Sequence, residues 1–193
     1  MQKPEGFDEV QEMGGFTPVE LGGHHMVIKG VKEQTTKTNK PMLVIAFDFA
    51  ANDKQAGYFS DSFEKDIRPE KKWPNNGTNY LMTQDYQDPS KPSRQFKTFI
   101  SCIERNNNMI VKWGTDDFCD QFKGKRIGGV FGIVEEEYNG KVNQRHKLRW
   151  FYDDDKVDDA KIPNPKLLNN GASSVSDNNF MKIEEGADSE IPF

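Results

Sequence analysis

Arg145, Lys147 and Arg149 recur at every second position and run directly into Trp150, Phe151 and Tyr152. In an extended strand that spacing places all three cations on one face, where they can neutralise successive phosphates of a nucleic-acid backbone. Aromatic rings supply the complementary chemistry, because every base has a π-face and each stack contributes ~1–3 kcal/mol whatever the base. A second mixture of the two residue types, Arg68, Lys71, Lys72, Trp73 and Tyr80, sits in a stretch rich in Pro, Asn, Gly and Asp. Lys37 and Lys40 add charge in a polar turn nearer the N-terminus. Together these are the candidate DNA contacts. Trp73 admits two roles, a stacking platform or a residue that packs its loop onto the body, while Trp113 and Trp150 are expected in the core.

The C-terminus carries a different signal. Glu184, Glu185, Asp188 and Glu190 lead into Ile191-Pro192-Phe193, so an acidic run ends in a sudden apolar tip. A docking peptide uses such a tip: Phe193 and its carboxylate anchor in a partner's pocket, and the acids steer it towards a basic groove. No catalytic centre assembles from the remaining residues. His24, His25 and His146 show no metal-ligand spacing with Cys102 or Cys119, and neither a Gly-rich phosphate loop nor a nucleophile elbow is present. The runs Glu135-Glu136-Glu137 and Asp153-Asp154-Asp155 do not converge on a cation if extended, since successive strand residues point to opposite faces. No enzymatic activity, cofactor or metal is expected, and His146 is expected to face the core.

A sheet must position the basic stripe. Arg126 to Tyr138 and Lys141 to Tyr152 flank Asn139-Gly140, the dipeptide favoured in two-residue type I′ hairpins. Counting outward from that turn pairs Tyr138 with Lys141, Ile133 with His146, Phe131 with Leu148 and Gly129 with Trp150. Ile133, Phe131, Leu148, Trp150 and Tyr152 then form the core face, and Val130, Gly132 and Val134 face Arg149, Lys147 and Arg145. Upstream, His24 to Glu33 and Lys40 to Ala50 read as strands, the second buried on both sides because its two alternating sets are both apolar. Gly57 to Phe63 reads as a short third strand and Ile67 to Pro92 as a long loop. Phe96, Phe99, Ile100 and Ile103 fall on one helical face after Ser93, a cap, with Asn106-Asn107-Asn108 as the stop. A second short helix is expected from Thr115 to Phe122. The result is a mainly β fold with one or two helices, an OB-like small barrel with a long loop excursion.

The 193 residues suit one domain with appendages: an arm over 1–22, a nucleic-acid-binding domain over 23–168 and a disordered acidic tail over 169–193. The net charge of -5 conceals a division, because 24–152 holds 21 basic and 16 acidic residues (+5) while 153–193 holds 4 and 10 (-6). An acidic chain can therefore still offer a polyanion a basic body. No apolar run reaches the ~18 residues of a membrane span and no secretory signal opens the chain, so a soluble, cytoplasmic protein is expected.

The tip at Asp188, Glu190, Ile191, Pro192 and Phe193 resembles the acidic C-terminal peptide of bacterial single-stranded DNA-binding protein, with Ser189 departing from its all-acidic pattern. From about Gly22 to Leu168 the body is similar instead to a family of bacteriophage single-stranded DNA-binding proteins. That likeness rests on Thr38-Asn39-Lys40-Pro41-Met42-Leu43, Phe122-Lys123-Gly124-Lys125, Glu135-Glu136-Glu137-Tyr138-Asn139-Gly140-Lys141 and Arg149-Trp150-Phe151-Tyr152. The resemblance implies binding of single-stranded DNA without strong sequence preference during phage DNA replication, recombination or repair, in the host cytoplasm. It also implies recruitment of replication and recombination proteins through the tail, and it is compatible with a homo-oligomer. An RNA-binding regulator on the same barrel and an adaptor that binds no nucleic acid are the alternatives.

Overall fold

The computed structural model describes Lys3 and residues 17–168. Five strands form one antiparallel sheet in the order β3-β2-β1-β4-β5. β1 (Gly22–Thr35) is long enough to serve two neighbours, pairing through Gly22 to Val27 with β4 (Arg126–Tyr138) and through Met26 to Thr35 with β2 (Pro41–Phe49). A bulge between Ile28 and Gly30 bends it where the two pairings meet. β3 (Thr78–Met82) and β5 (Lys141–Tyr152) are the sheet's edges, and no strand pairing joins them among the described residues.

β2 is buried on both faces, as its doubly apolar alternation requires, with Leu43, Ile45, Phe47 and Phe49 in the main core. α2 (Arg94–Asn107) starts where the Ser93 hydroxyl accepts the Phe96 N–H at 3.1 Å and stops at Asn108, which takes the left-handed conformation. Its Phe99 packs on Phe122 and on Phe151 of β5, which seats the helix against the end of the sheet.

Three local expectations fail. Gly57 to Phe63 is not a strand but the start of helix α1 (Tyr58–Glu64). The cause is tertiary: the buried Asp48 carboxylate on β2 accepts the N–H groups of Phe59 at 2.9 Å and Ser60 at 3.2 Å, so it caps the helix from a distance. The stretch expected as a loop contains β3, whose Leu81 is buried and which pairs with Met42 to Ala46. Thr115 to Phe122 forms turns and a 3₁₀ segment at Asp120–Phe122 rather than an α-helix.

At the hairpin, Asn139 and Gly140 both have positive φ, 51° and 73°, as a type I′ turn demands. The register follows the turn through Phe131 opposite Leu148, then a bulge between Val130 and Phe131 shifts it. Trp150 therefore faces Val130, Phe151 faces Gly129 and Tyr152 faces Gly128. Beyond β5 the chain doubles back as a strap. Its 3₁₀ segment (Asp154–Asp159) buries Val157 against the outer side of β1 and β4, and Lys166 exchanges main-chain bonds of 2.9 Å with Ile133 and Glu135. Gly23 and Gly132 permit this close approach, because a Cβ at Gly23 would overlap the Val157 carbonyl and one at Gly132 the Pro163 ring. Among the described residues no helix is long and apolar enough to cross a membrane.

Candidate nucleic-acid interface

The bulge decides what β5 presents. Leu148 and Phe151 both enter the core, so the residues on the opposite face are Arg145, Lys147, Trp150 and Tyr152. Trp150 and Tyr152 are 39% and 38% exposed. The expectation that Trp150 and Tyr152 line the core is thus corrected: one extra residue in β5 turns both rings outward and Phe151 inward. The strand becomes a row of two cations followed by two aromatic rings. The sequence held a hint in Trp150-Phe151-Tyr152, where three consecutive aromatics cannot all face one side, but nothing in it says where the extra residue sits.

Charge on this face is unevenly satisfied. The Glu136 carboxylate on β4 receives Lys147 Nζ at 2.5 Å and stands 3.8 Å from Arg145 Nε. Arg149, at the bulge, is no member of a free stripe, since its guanidinium donates to the carbonyls of Asn164 at 3.1 Å and Ile133 at 3.4 Å. Burial holds its pKa below the ordinary arginine value. Lys166 bridges to Val134 from the strap and is also lowered, by burial and then by the charge of Arg149. Lys147 and Arg145 therefore share one carboxylate, while Arg149 and Lys166 lie near each other at the strap.

The remaining candidates are dispersed. Trp73 is only 8% exposed, its indole N–H donates to the Gly77 carbonyl at 3.0 Å and its ring lies 5.6 Å from Phe63, so it takes the packing role and not the stacking one. Lys71 donates to the Glu64 carbonyl at 2.9 Å, Arg68 grips Asp66 with contacts of 2.6 to 2.9 Å, and Lys72 is exposed beside them. Lys40 Nζ lies 4.6 Å above the exposed Tyr86 ring, close to the exposed Lys37 in the β1–β2 turn. Tyr80 stands half-buried on β3 opposite Val44. These residues belong to the β1–β2–β3 end of the sheet, and Arg145 and Lys147 to the other edge. Trp113, expected in the core, is 59% exposed and packs on Phe96 and Phe118. His146 points inward and is half-buried, its ring bonded to the Val19 carbonyl. Asp188, Glu190, Ile191, Pro192 and Phe193 lie outside the described residues.

His25 latches the strap beside this face. Its Nδ1 meets Asp154 at 2.8 Å and its Nε2 meets Asp158 at 3.3 Å, while Arg126 holds the other oxygen of Asp154 at 2.7 Å. Burial opposes the charged ring, but the bonds and charges of Asp154 and Asp158 outweigh it and raise the pKa above 6.5. A raised folded-state pKa gives stability that is complete below the unfolded value and disappears as pH climbs through the folded one. His25→Ala is accordingly expected to lower the melting temperature more at about pH 5 than at about pH 9. Equal losses at both would mean that the ring contributes packing alone.

What fold and face define is an antiparallel β-sheet protein with a basic and aromatic outer edge. Against known proteins, the sequence matches no family model and no curated protein.

Proposed function

We propose that this chain binds single-stranded DNA without strong sequence preference, on an OB-like barrel left open between β3 and β5. The OB-like reading is supported by a long β1 shared between β2 and β4 and by α2 falling between β3 and β4 in the chain. The single observation that carries the function is the outer face of β5, where Arg145 and Lys147 supply backbone contacts and the exposed Trp150 and Tyr152 supply stacking surfaces. Neither kind of contact reads a base edge, so the preference is for single strands as such. The setting in phage replication, recombination and repair follows from the resemblance of the sequence, as does recruitment of partner proteins by the acidic tip.

Fluorescence titration with oligo-dT, oligo-U and duplex DNA over a range of salt tests this. Oligo-dT is expected to bind tighter than duplex, with log affinity falling linearly in log salt, and the double variant Arg145→Ala, Lys147→Ala is expected to flatten that slope by about 1.4. A chain that binds no oligomer is an adaptor, and one that prefers oligo-U is an RNA binder. Two tail variants complete the set. A chain ending at Asn170 loses Asp177, Glu184, Glu185, Asp188 and Glu190 against Lys182 and should bind oligo-dT tighter at low salt. Deletion of Phe193 alone should leave that affinity unchanged and end the capture of replication proteins.

A further inference from the structure

We infer that Glu136 is a stand-in for a DNA phosphate: its carboxylate occupies the position that a backbone phosphate takes between Arg145 and Lys147, and it thereby sets how tightly the β5 face binds. The inference rests on the nucleic-acid reading above and adds a regulatory residue to it. Glu136 lies on β4 opposite Asn143, one pair nearer the turn than Glu135 with Gln144, and its side chain shares the outer face with Val134 and Gly132. One oxygen takes Lys147 Nζ at 2.5 Å while the other stands 3.8 Å from Arg145 Nε, so a single carboxylate spans two cations as one phosphate would. All three side chains are substantially exposed, with relative areas of 36% for Lys147, 52% for Arg145 and 40% for Glu136. Such a pair is cheap to break, and an entering phosphate can displace the carboxylate.

The strap adds positive charge to this part of the sheet. Arg149 and Lys166 bring two more cations to the same side of the sheet, held there by main-chain bonds of the strap. Glu136 offsets the charge of Lys147 in the free protein. Binding must first release it, which lowers affinity and removes about one ion pair from the salt dependence. Glu135 and Glu137 differ, because strand alternation turns them to the other face; Glu135 bonds Gln144 Nε2 at 3.2 Å and the Leu168 N–H at 3.2 Å.

Oligo-dT titrations of the full chain, Glu136→Gln and Glu137→Gln, each with and without Lys147→Ala, test the inference. Both glutamine variants change the net charge equally, so a general charge effect moves them together. Glu136→Gln alone is expected to bind about threefold to fivefold tighter at low salt, with a slope steeper by about 0.7, and the gain should shrink in the Lys147→Ala background, where only Arg145 still faces the carboxylate. Glu137→Gln should shift affinity less than about twofold. Equal gains from both variants, or none from Glu136→Gln while the unaltered chain still binds, overturn the role of Glu136 and leave the DNA-binding reading standing. If the unaltered chain binds no oligo-dT, that reading falls and the inference falls with it.

Discussion

Replacing Trp150 and Tyr152 together by alanine is expected to cost about thirtyfold in oligo-dT affinity at the least, with a smaller loss of melting temperature than Phe151→Ala causes. Each lost stack removes ~1–3 kcal/mol, and every 1.4 kcal/mol is about tenfold, so two stacks reach well past one order of magnitude. The folded state gives up less than it would at a core position, because both rings stand on the outer face, more than a third exposed, with the core filled by Leu148 and Phe151 on the other side. Phe151→Ala supplies the contrast: that ring is buried against Phe99, and its loss should cost ~3–5 kcal/mol of stability. Titration and thermal melting of the two variants decide the matter. A Trp150→Ala, Tyr152→Ala protein that binds normally moves the DNA path to another part of the sheet, and one that melts as early as Phe151→Ala makes the rings structural.

Those two residues also mark where reading the sequence stops working. Strand β2, helix α2 and the type I′ turn were legible because each is encoded locally: two apolar alternations, a cap with an i, i+3, i+4 pattern, and a dipeptide that tolerates positive φ. Arg145 and Lys147 were placed correctly on one outer face, since the turn fixes every pair up to Phe131 and Leu148. Past that point the count depends on a bulge, which is a property of how two strands coil together and has no signature in either one. The helix α1 was missed for a similar reason, as its cap comes from Asp48, ten residues before the helix begins at Tyr58. Trp73 was ambiguous until Gly77 and Phe63 were seen to enclose it. The strap was invisible because its closest approaches fall on Gly23 and Gly132, whose contribution is the absence of a side chain.

That absence yields the largest stability effect expected from one methyl group. At Gly23 an added Cβ would overlap the Val157 carbonyl, a main-chain atom that cannot rotate away as a side chain would. Gly23→Ala therefore forces the strap off the sheet or strains it in place. Overpacking of this kind costs ~1–3 kcal/mol, and exposing Val157 adds ~1.5–3 kcal/mol. Lifting the 3₁₀ segment also pulls Asp154 away from His25 and Arg126, so the latch and the clash fail together. For a domain of this size ~2–4 °C of melting temperature goes with each kcal/mol, which places the expected drop near ~10 °C. Gly132→Ala should be milder, since its Cβ meets the Pro163 ring and the Arg149 stem, both side-chain atoms that can shift. Thermal melting with hydrogen exchange over 153–168 checks the ordering, and a Gly23→Ala chain with normal melting and normal protection there would show that the strap does not lie on β1.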